Sequence, residues 1–205
     1  MNYQDYINLA EQGLPFKIDS TWAQGRSVFG GLSAALILVH IEKTLQLNDK
    51  NLRSINVNFC GALLSGVDCH IEFSVLSEGK SVIQVQGQVV QDKQIKTQIV
   101  ACFAVARPSN LAVSSDHLMP ESSFKDSNLL PHIEGITPAF VQHVNIGMTS
   151  NSIPFSGVDT TKSTGWMNFK ESPNVFNDAT ILALIDVWPP AVLPLMTTPS
   201  PASTI

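Results

Sequence analysis

Residues 25–47, GRSVFGGLSAALILVHIEKTLQL, form the segment that most constrains how this chain can fold. After the glycine-containing turn, the run from Leu32 to Val39 contains one polar residue, Ser33. A helix that is apolar on all sides has to be buried on all sides. The run is also far shorter than the ~20 apolar residues that a membrane-spanning helix needs. The segment therefore predicts a helix that is enclosed by the rest of a globular protein.

The sequence after this helix predicts a sheet that could enclose it. Apolar and polar residues alternate in four segments with short breaks between them, which is typical of strands with one buried face. Because the breaks are short, we expect consecutive strands to pair as an antiparallel meander, with the helix on its apolar face. The four segments are residues 52–63, 67–76, 81–91 and 95–106. Ahead of the buried helix, residues 2–13 predict an amphipathic helix and residues 16–22 a strand.

The second half of the chain repeats this order of elements. Residues 108–137 are rich in Ser, Asn and Pro without a sustained period, which predicts a linker between two domains. After it, residues 140–148 and 165–169 have strand-like patterns, and residues 179–188 form a second, nearly all-apolar helical segment. We therefore divide the chain into a first unit, a linker and the N-terminal part of a second unit: residues 1–107, 108–137 and 138–205.

Composition excludes several functional classes. Hydrophobic residues make up 44% of the chain and charged residues 14%, which indicates a globular protein with a sizeable core. The net charge of −5 and the lack of a basic cluster argue against nucleic acid as a partner. The N-terminal residues do not resemble a secretory signal, so we expect a cytoplasmic protein without a membrane span. The three cysteines and five histidines have no metal-ligand spacing, so we expect neither a metal nor a cofactor.

Several short motifs in a fixed order carry a resemblance to a known family. RSVFGG opens the first helix at residues 26–31, LSEGKS lies at 76–81, CFAVARP at 102–108 and LIDVWPP at 184–190. These motifs resemble those of the TesB-like, or type II, acyl-CoA thioesterases. The resemblance implies an α+β hotdog fold, an antiparallel sheet around a central helix, with one complete hotdog unit and an incomplete second one. Members continue through further strands after the position of Ile205, so we expect those strands to be missing or supplied from elsewhere.

The resemblance also implies a function. Members hydrolyse fatty acyl-CoA to the free acid and CoA without a cofactor, and their sheets commonly associate into homo-oligomers. The alternative from a different class is a non-catalytic acyl-binding or interaction protein, or an inactive truncated form of such a thioesterase. A hotdog hydratase is disfavoured because no histidine accompanies Asp186, and the chain lacks the G-x-S-x-G motif of serine thioesterases.

Asp186 is the most informative candidate for catalysis. A carboxylate between Ile185 and Val187 is costly to bury unpaired, and burial would raise its pKa towards the range of a general base. The alternative is an Asp that is capped or faces solvent. The resemblance implies an Asp on the second central helix, a hydroxyl residue after it, matched by Thr204, and a Gln on a late strand, which has no counterpart here.

Gly30 and Gly31 are candidates for binding the substrate carbonyl. Backbone N–H groups at a helix N-terminus can polarise a carbonyl or bind an anion. The alternative is that glycine is needed there only because the backbone packs closely. In the second half, Asp178 and Ala179 occupy the equivalent position at the start of the helix.

Overall fold

The computed structural model describes residues 1–114, 123–150, 153–160 and 162–198. Within these residues the helices are α1 Tyr3–Gln12, α2 Gly30–Leu45 and α3 Asp178–Ile185. The strands of the first half are β1 Phe16–Lys17, β2 Ala23–Gln24, β3 Ser27–Val28, β4 Asn51–Phe59, β5 Asp68–Glu78, β6 Val82–Gln91 and β7 Gln94–Ala104. The strands of the second half are β8 Asn128–Leu129, β9 Val144–Met148 and β10 Gly165–Phe169.

Helix α2 is enclosed, as its composition predicts. Its residues 31–39 are all buried, and so is Ile41. The inward faces of β6 and β7 lie in the same core and supply Ile83, Val85, Val89, Ile99, Ala101 and Phe103. At Gly87 the helix approaches the sheet so closely that a Cβ atom would lie 2.5 Å from Ile37. This helix inside an antiparallel sheet confirms the expected α+β hotdog fold.

The order of strands differs from the predicted meander. The main sheet runs β1-β5-β6-β7-β4, with antiparallel neighbours, so only β5, β6 and β7 follow the predicted order. Strand β4 pairs with β7 rather than with β5, because residues 60–67 are a structured crossing instead of a tight turn. Leu63 in this crossing is buried, and its carbonyl accepts a hydrogen bond of 2.8 Å from the N–H of Val28.

Two predicted strands are partly replaced by 3-10 helices. Of residues 16–22, only Phe16–Lys17 is a strand, and Ser20–Trp22 forms a 3-10 turn. The Asp19 carboxylate causes this change, because it accepts a hydrogen bond of 3.0 Å from the N–H of Thr21 and caps the turn. Likewise, Ala139–His143 is a 3-10 helix that follows Pro138, and the strand begins only at Val144.

The two halves share one hydrophobic core. Strands β8, β9 and β10 form a three-stranded sheet, so β8, within residues 108–137, is already part of the second half's structure. Aromatic rings stack across the halves at centroid distances of 4.2 Å, in the pairs Trp22–His143, Phe29–Phe140 and Tyr3–Phe169. Within the described ranges, no helix is both long and apolar enough to cross a bilayer.

Candidate active site

The N-terminus of α2 packs directly against the C-terminal end of α3. A Cβ atom on Gly31 would lie 2.5 Å from the backbone oxygen of Ala183, and one on Gly30 would lie 2.5 Å from the ring of Phe59. Neither position can take a side chain without displacing its neighbours. Close packing is therefore one reason for glycine at both positions, and it brings the first turn of α2 within hydrogen-bonding distance of the second half.

This close approach brings the side chain of Asp186 to the first turn of α2. It occupies the C-cap position of α3, immediately after Ile185, so the predicted helix ends earlier than its apolar composition suggests. Its Oδ2 atom accepts a hydrogen bond of 2.8 Å from the backbone N–H of Gly31. A carboxylate is stabilised at a helix N-terminus, where free N–H groups and the helix dipole both favour negative charge. The structure thus joins two of the predicted site residues, Asp186 and Gly31.

The environment makes Asp186 a stronger base than an exposed aspartate. Burial raises the pKa of its carboxyl above the ordinary value of 3.8, and the hydrogen bond from Gly31 opposes this shift only in part. Within the described ranges, the second carboxylate oxygen, Oδ1, has no hydrogen-bond partner. The backbone of α2 therefore fixes one oxygen of a carboxylate whose pKa is raised by burial.

Two buried hydroxyl groups lie behind this site and were missed as site residues in the sequence. The Ser33 hydroxyl donates to the carbonyl of Gly30 at 2.8 Å and lies 2.8 Å from Oγ1 of Thr97 on β7. Both residues are almost fully buried. Ser33 could have been found as the single polar residue in the apolar run, whereas nothing marks Thr97 among the polar residues of its strand.

The remaining predicted site residues lie elsewhere. Asp178 and Ala179 begin α3, about 12 Å from its other end at 1.5 Å per residue. Asp178 is exposed and Ala179 is fully buried. The side chain of Asn177 caps this end and accepts from the N–H of Thr180 at 3.0 Å. Thr204 lies outside the described residues.

The described parts of the chain contain no cluster of three or more His, Cys, Asp or Glu side chains that could hold a metal ion. Cys60 is exposed and Cys69 is buried.

Comparison with known proteins identifies the family. Residues 18–106 match the model of the acyl-CoA thioesterase N-terminal domain, and residues 115–205 match that of the acyl-CoA thioesterase C-terminal domain. Together the two matches span most of the sequence, in the order expected of one enzyme. The chain therefore belongs to the acyl-CoA thioesterase family of thioester hydrolases, as the motifs predict. No curated protein matches the sequence significantly.

Solved structures show the same fold. A hot dog protein of unknown function from Alicyclobacillus acidocaldarius is 19% identical, with a TM-score of 0.74 over 91% of this chain and 68% of that one. A candidate thioesterase II from Thermobifida fusca YX is 18% identical, with a TM-score of 0.69 over 89% and 68%. The acyl-CoA thioesterase II TesB2 from Mycobacterium marinum is 14% identical, with a TM-score of 0.58 over 84% and 62%.

Proposed function

We propose that this protein hydrolyses fatty acyl-CoA to the free acid and CoA, with Asp186 as the general base that activates water. The observation that carries the proposal is the hydrogen bond of 2.8 Å between Gly31 N–H and Asp186 Oδ2. It fixes a carboxylate of raised pKa at the positive end of the central helix and leaves Oδ1 to contact a water molecule.

The chemistry proceeds in two steps. Oδ1 of Asp186 takes a proton from water while the water oxygen forms a bond to the thioester carbonyl carbon. The tetrahedral intermediate then collapses, the C–S bond breaks, and the proton held by Asp186 passes to the departing thiolate of CoA. The partial positive charge at the N-terminus of α2 favours the negative charge that develops on the carbonyl oxygen through the field of the helix, because the Gly31 N–H itself is bonded to Asp186.

The other predicted residues have different places in this proposal. The N–H of Gly31 binds Asp186, so in the free protein it orients the base and is not free to bind the substrate carbonyl. Gly30 lies beside both Asp186 and Phe59 and allows this approach. Asp178 and Ala179 are at the opposite end of α3 and are not assigned a role. A role for Thr204 in holding the attacking water stays a prediction from the family resemblance.

The test is a hydrolysis screen over acyl-CoA chain lengths that compares the wild type with Asp186→Asn. Asn keeps the size of the side chain and an oxygen that can accept from Gly31, but it cannot take a proton. We expect Asp186→Asn to lower kcat by about 10²–10⁴, the typical contribution of a general base. Asp49→Asn is the matched control, because Asp49 is an exposed aspartate after the far end of α2.

Full turnover by Asp186→Asn would refute the proposed mechanism. Binding of acyl-CoA by the wild type without release of CoA at any chain length would instead favour the acyl-binding alternative. The predicted homo-oligomer is checked in the same preparation by its mass in gel filtration.

A further inference from the structure

Gly30 and Gly31 share one peptide group, and that group is hydrogen-bonded at both ends. Its N–H, from Gly31, donates to Asp186 Oδ2 at 2.8 Å. Its C=O, from Gly30, accepts from the hydroxyl of Ser33 at 2.8 Å. A change in the bond at one end therefore alters the bond at the other through a single amide.

The direction of this chain of hydrogen bonds follows from the donors available. A hydroxyl has one proton, and a carbonyl oxygen can only accept. Since the Ser33 proton is directed at the Gly30 carbonyl, the bond of 2.8 Å between Ser33 and Thr97 takes its proton from Thr97. The order is Thr97 to Ser33, Ser33 to the Gly30 carbonyl, and the Gly31 N–H to Asp186.

We infer that Ser33 and Thr97 are positioning residues, which polarise the Gly30–Gly31 peptide and so strengthen its hydrogen bond to the Asp186 carboxylate. Hydrogen bonds in a chain polarise one another, and an amide whose carbonyl accepts a bond is a better donor through its N–H. The hydroxyls also fix the first turn of α2 to β7, because Thr97 belongs to the sheet and Ser33 to the helix.

Burial makes this arrangement more than an incidental contact. Ser33 is 1% exposed and Thr97 is 2% exposed, so water does not compete for either hydroxyl. Within the described residues, Asp186 is influenced by its burial and by the Gly31 N–H, with no contribution from a charged side chain. Burial has the larger effect on the carboxylate, and the Gly31 N–H is the polar group that opposes it, so a change in that N–H acts on Asp186 directly. The inference rests on the proposed function of Asp186 as the base.

The test combines kinetics with a direct readout of Asp186. Cooperativity strengthens a charged hydrogen bond by about 10–30%. Loss of this effect in Ser33→Ala or Thr97→Val should lower kcat/KM by about 1.5- to 4-fold on the acid side of the pH profile. The acid limb should move to higher pH, since a weaker donor stabilises the ionised carboxylate less. In NMR titrations the Asp186 carboxyl should show the same displacement, and the Gly31 amide proton should move upfield.

The conservative variants Ser33→Thr and Thr97→Ser keep a hydroxyl and should restore the wild-type profile. Thr44→Val, which removes an exposed hydroxyl from the same helix, should leave both readouts unchanged. If Ser33→Ala does not fold, the near-isosteric Thr97→Val carries the test. An unmoved acid limb together with an unmoved Asp186 titration in Thr97→Val would overturn the inference.

This outcome differs from failure of the proposed function. If Asp186→Asn remained active, the base would be wrongly assigned, but the Asp186 titration in the two variants would still report the effect of the hydroxyls. If Asp186→Asn were inactive and the Asp186 titration were the same in the two variants as in the wild type, only the positioning role would be refuted.

Discussion

The backbone N–H of Gly31 and the Oδ2 atom of Asp186 are 2.8 Å apart, although 155 positions separate the two residues in the chain. Gly31 belongs to the enclosed helix of the first half, and Asp186 caps the C-terminal end of the helix of the second half. The candidate base is therefore held by the half that does not contain it, so any change that separates the halves should also disturb Asp186.

The rate of hydrolysis should depend on the ionisation of Asp186. Because burial raises the pKa of this carboxyl, kcat/KM should fall as the pH drops, with a midpoint above the ordinary value of 3.8. Below the midpoint we expect a loss of about tenfold per pH unit, as for a single proton. The measurement follows the ultraviolet absorbance of the thioester. A rate that stays constant down to the ordinary aspartate pKa would show that the base has an unshifted pKa or is not Asp186.

Asp186 should also lower the stability of the folded protein at neutral pH. A carboxyl with a raised folded-state pKa binds its proton more tightly in the folded state than in the unfolded state. Its contribution to stability is thus present below 3.8 and is lost as the pH rises through the folded-state value. Asp186→Asn, which cannot ionise, should therefore have a higher Tm than the wild type at pH 8 despite its loss of activity.

The comparison is made by thermal unfolding at two pH values. The gain in Tm of Asp186→Asn over the wild type should shrink towards acid pH, where the wild-type carboxyl is protonated as well. A variant that is less stable than the wild type at pH 8 would contradict this prediction. Asp49→Asn again provides the control on an exposed aspartate.

The periodicity of apolar residues, every second residue in strands and every third or fourth in helices, predicted most of the local structure. The alternation in β5, β6 and β7 and the apolar run of α2 are both local signals, and the structure confirms them. The position of β4 is not a local property, because it depends on how residues 60–67 cross the sheet. The 3-10 turn at Ser20–Trp22 replaced a predicted strand because one side chain, that of Asp19, caps the backbone there.

The candidate site was predictable as separate residues but not as an arrangement. Asp186 and Gly31 stood out for different reasons, the first as a charge in an apolar segment and the second as a glycine at a helix start. Their hydrogen bond depends on how α2 and α3 pack, which neither segment encodes alone. Asp178 and Ala179 are predicted by analogy between the halves, and they lie at the start of α3, the end away from Asp186.

Gly31 should tolerate no side chain. In Gly31→Ala the new Cβ would lie 2.5 Å from the backbone oxygen of Ala183, and backbone cannot rotate away as a side chain can. We expect a loss of about 1–3 kcal/mol in the free energy of unfolding, typical of overpacking, and a larger relative loss of activity because the Asp186 hydrogen bond is displaced. The measurement is urea unfolding together with kcat/KM.

Gly79→Ala is the matched control for this substitution. Gly79 lies in the turn between β5 and β6, and an added Cβ would come no closer than 3.5 Å to the oxygen of Val82. Its stability should stay within about 0.5 kcal/mol of the wild type. Equal stability of Gly31→Ala and Gly79→Ala would show that α2 and α3 are not in such close contact.

Glu42 provides a second pH-dependent contribution at the other end of α2. Burial, and secondarily the negative charge of Asp178, raise the pKa of its carboxyl from 4.5 to about 7. The stability that this group contributes is therefore complete below 4.5 and is lost as the pH rises through about 7. Glu42→Gln should be more stable than the wild type at pH 8, by on the order of 1 kcal/mol after allowance for partial exposure to solvent.

Urea unfolding at pH 5 and pH 8 distinguishes this effect from a general gain in packing. The advantage of Glu42→Gln should be clearly larger at pH 8 than at pH 5, where the wild-type carboxyl is protonated in the folded state. Glu78→Gln removes a charge from an exposed position at the end of β5 and should show no such difference. An advantage of equal size at both pH values would mean that Gln packs better than Glu, and that the charge of Glu42 is not the cause. Because Glu42 is remote from Asp186, the variant should keep wild-type kcat, which separates a stability effect at one end of α2 from the chemistry proposed at the other.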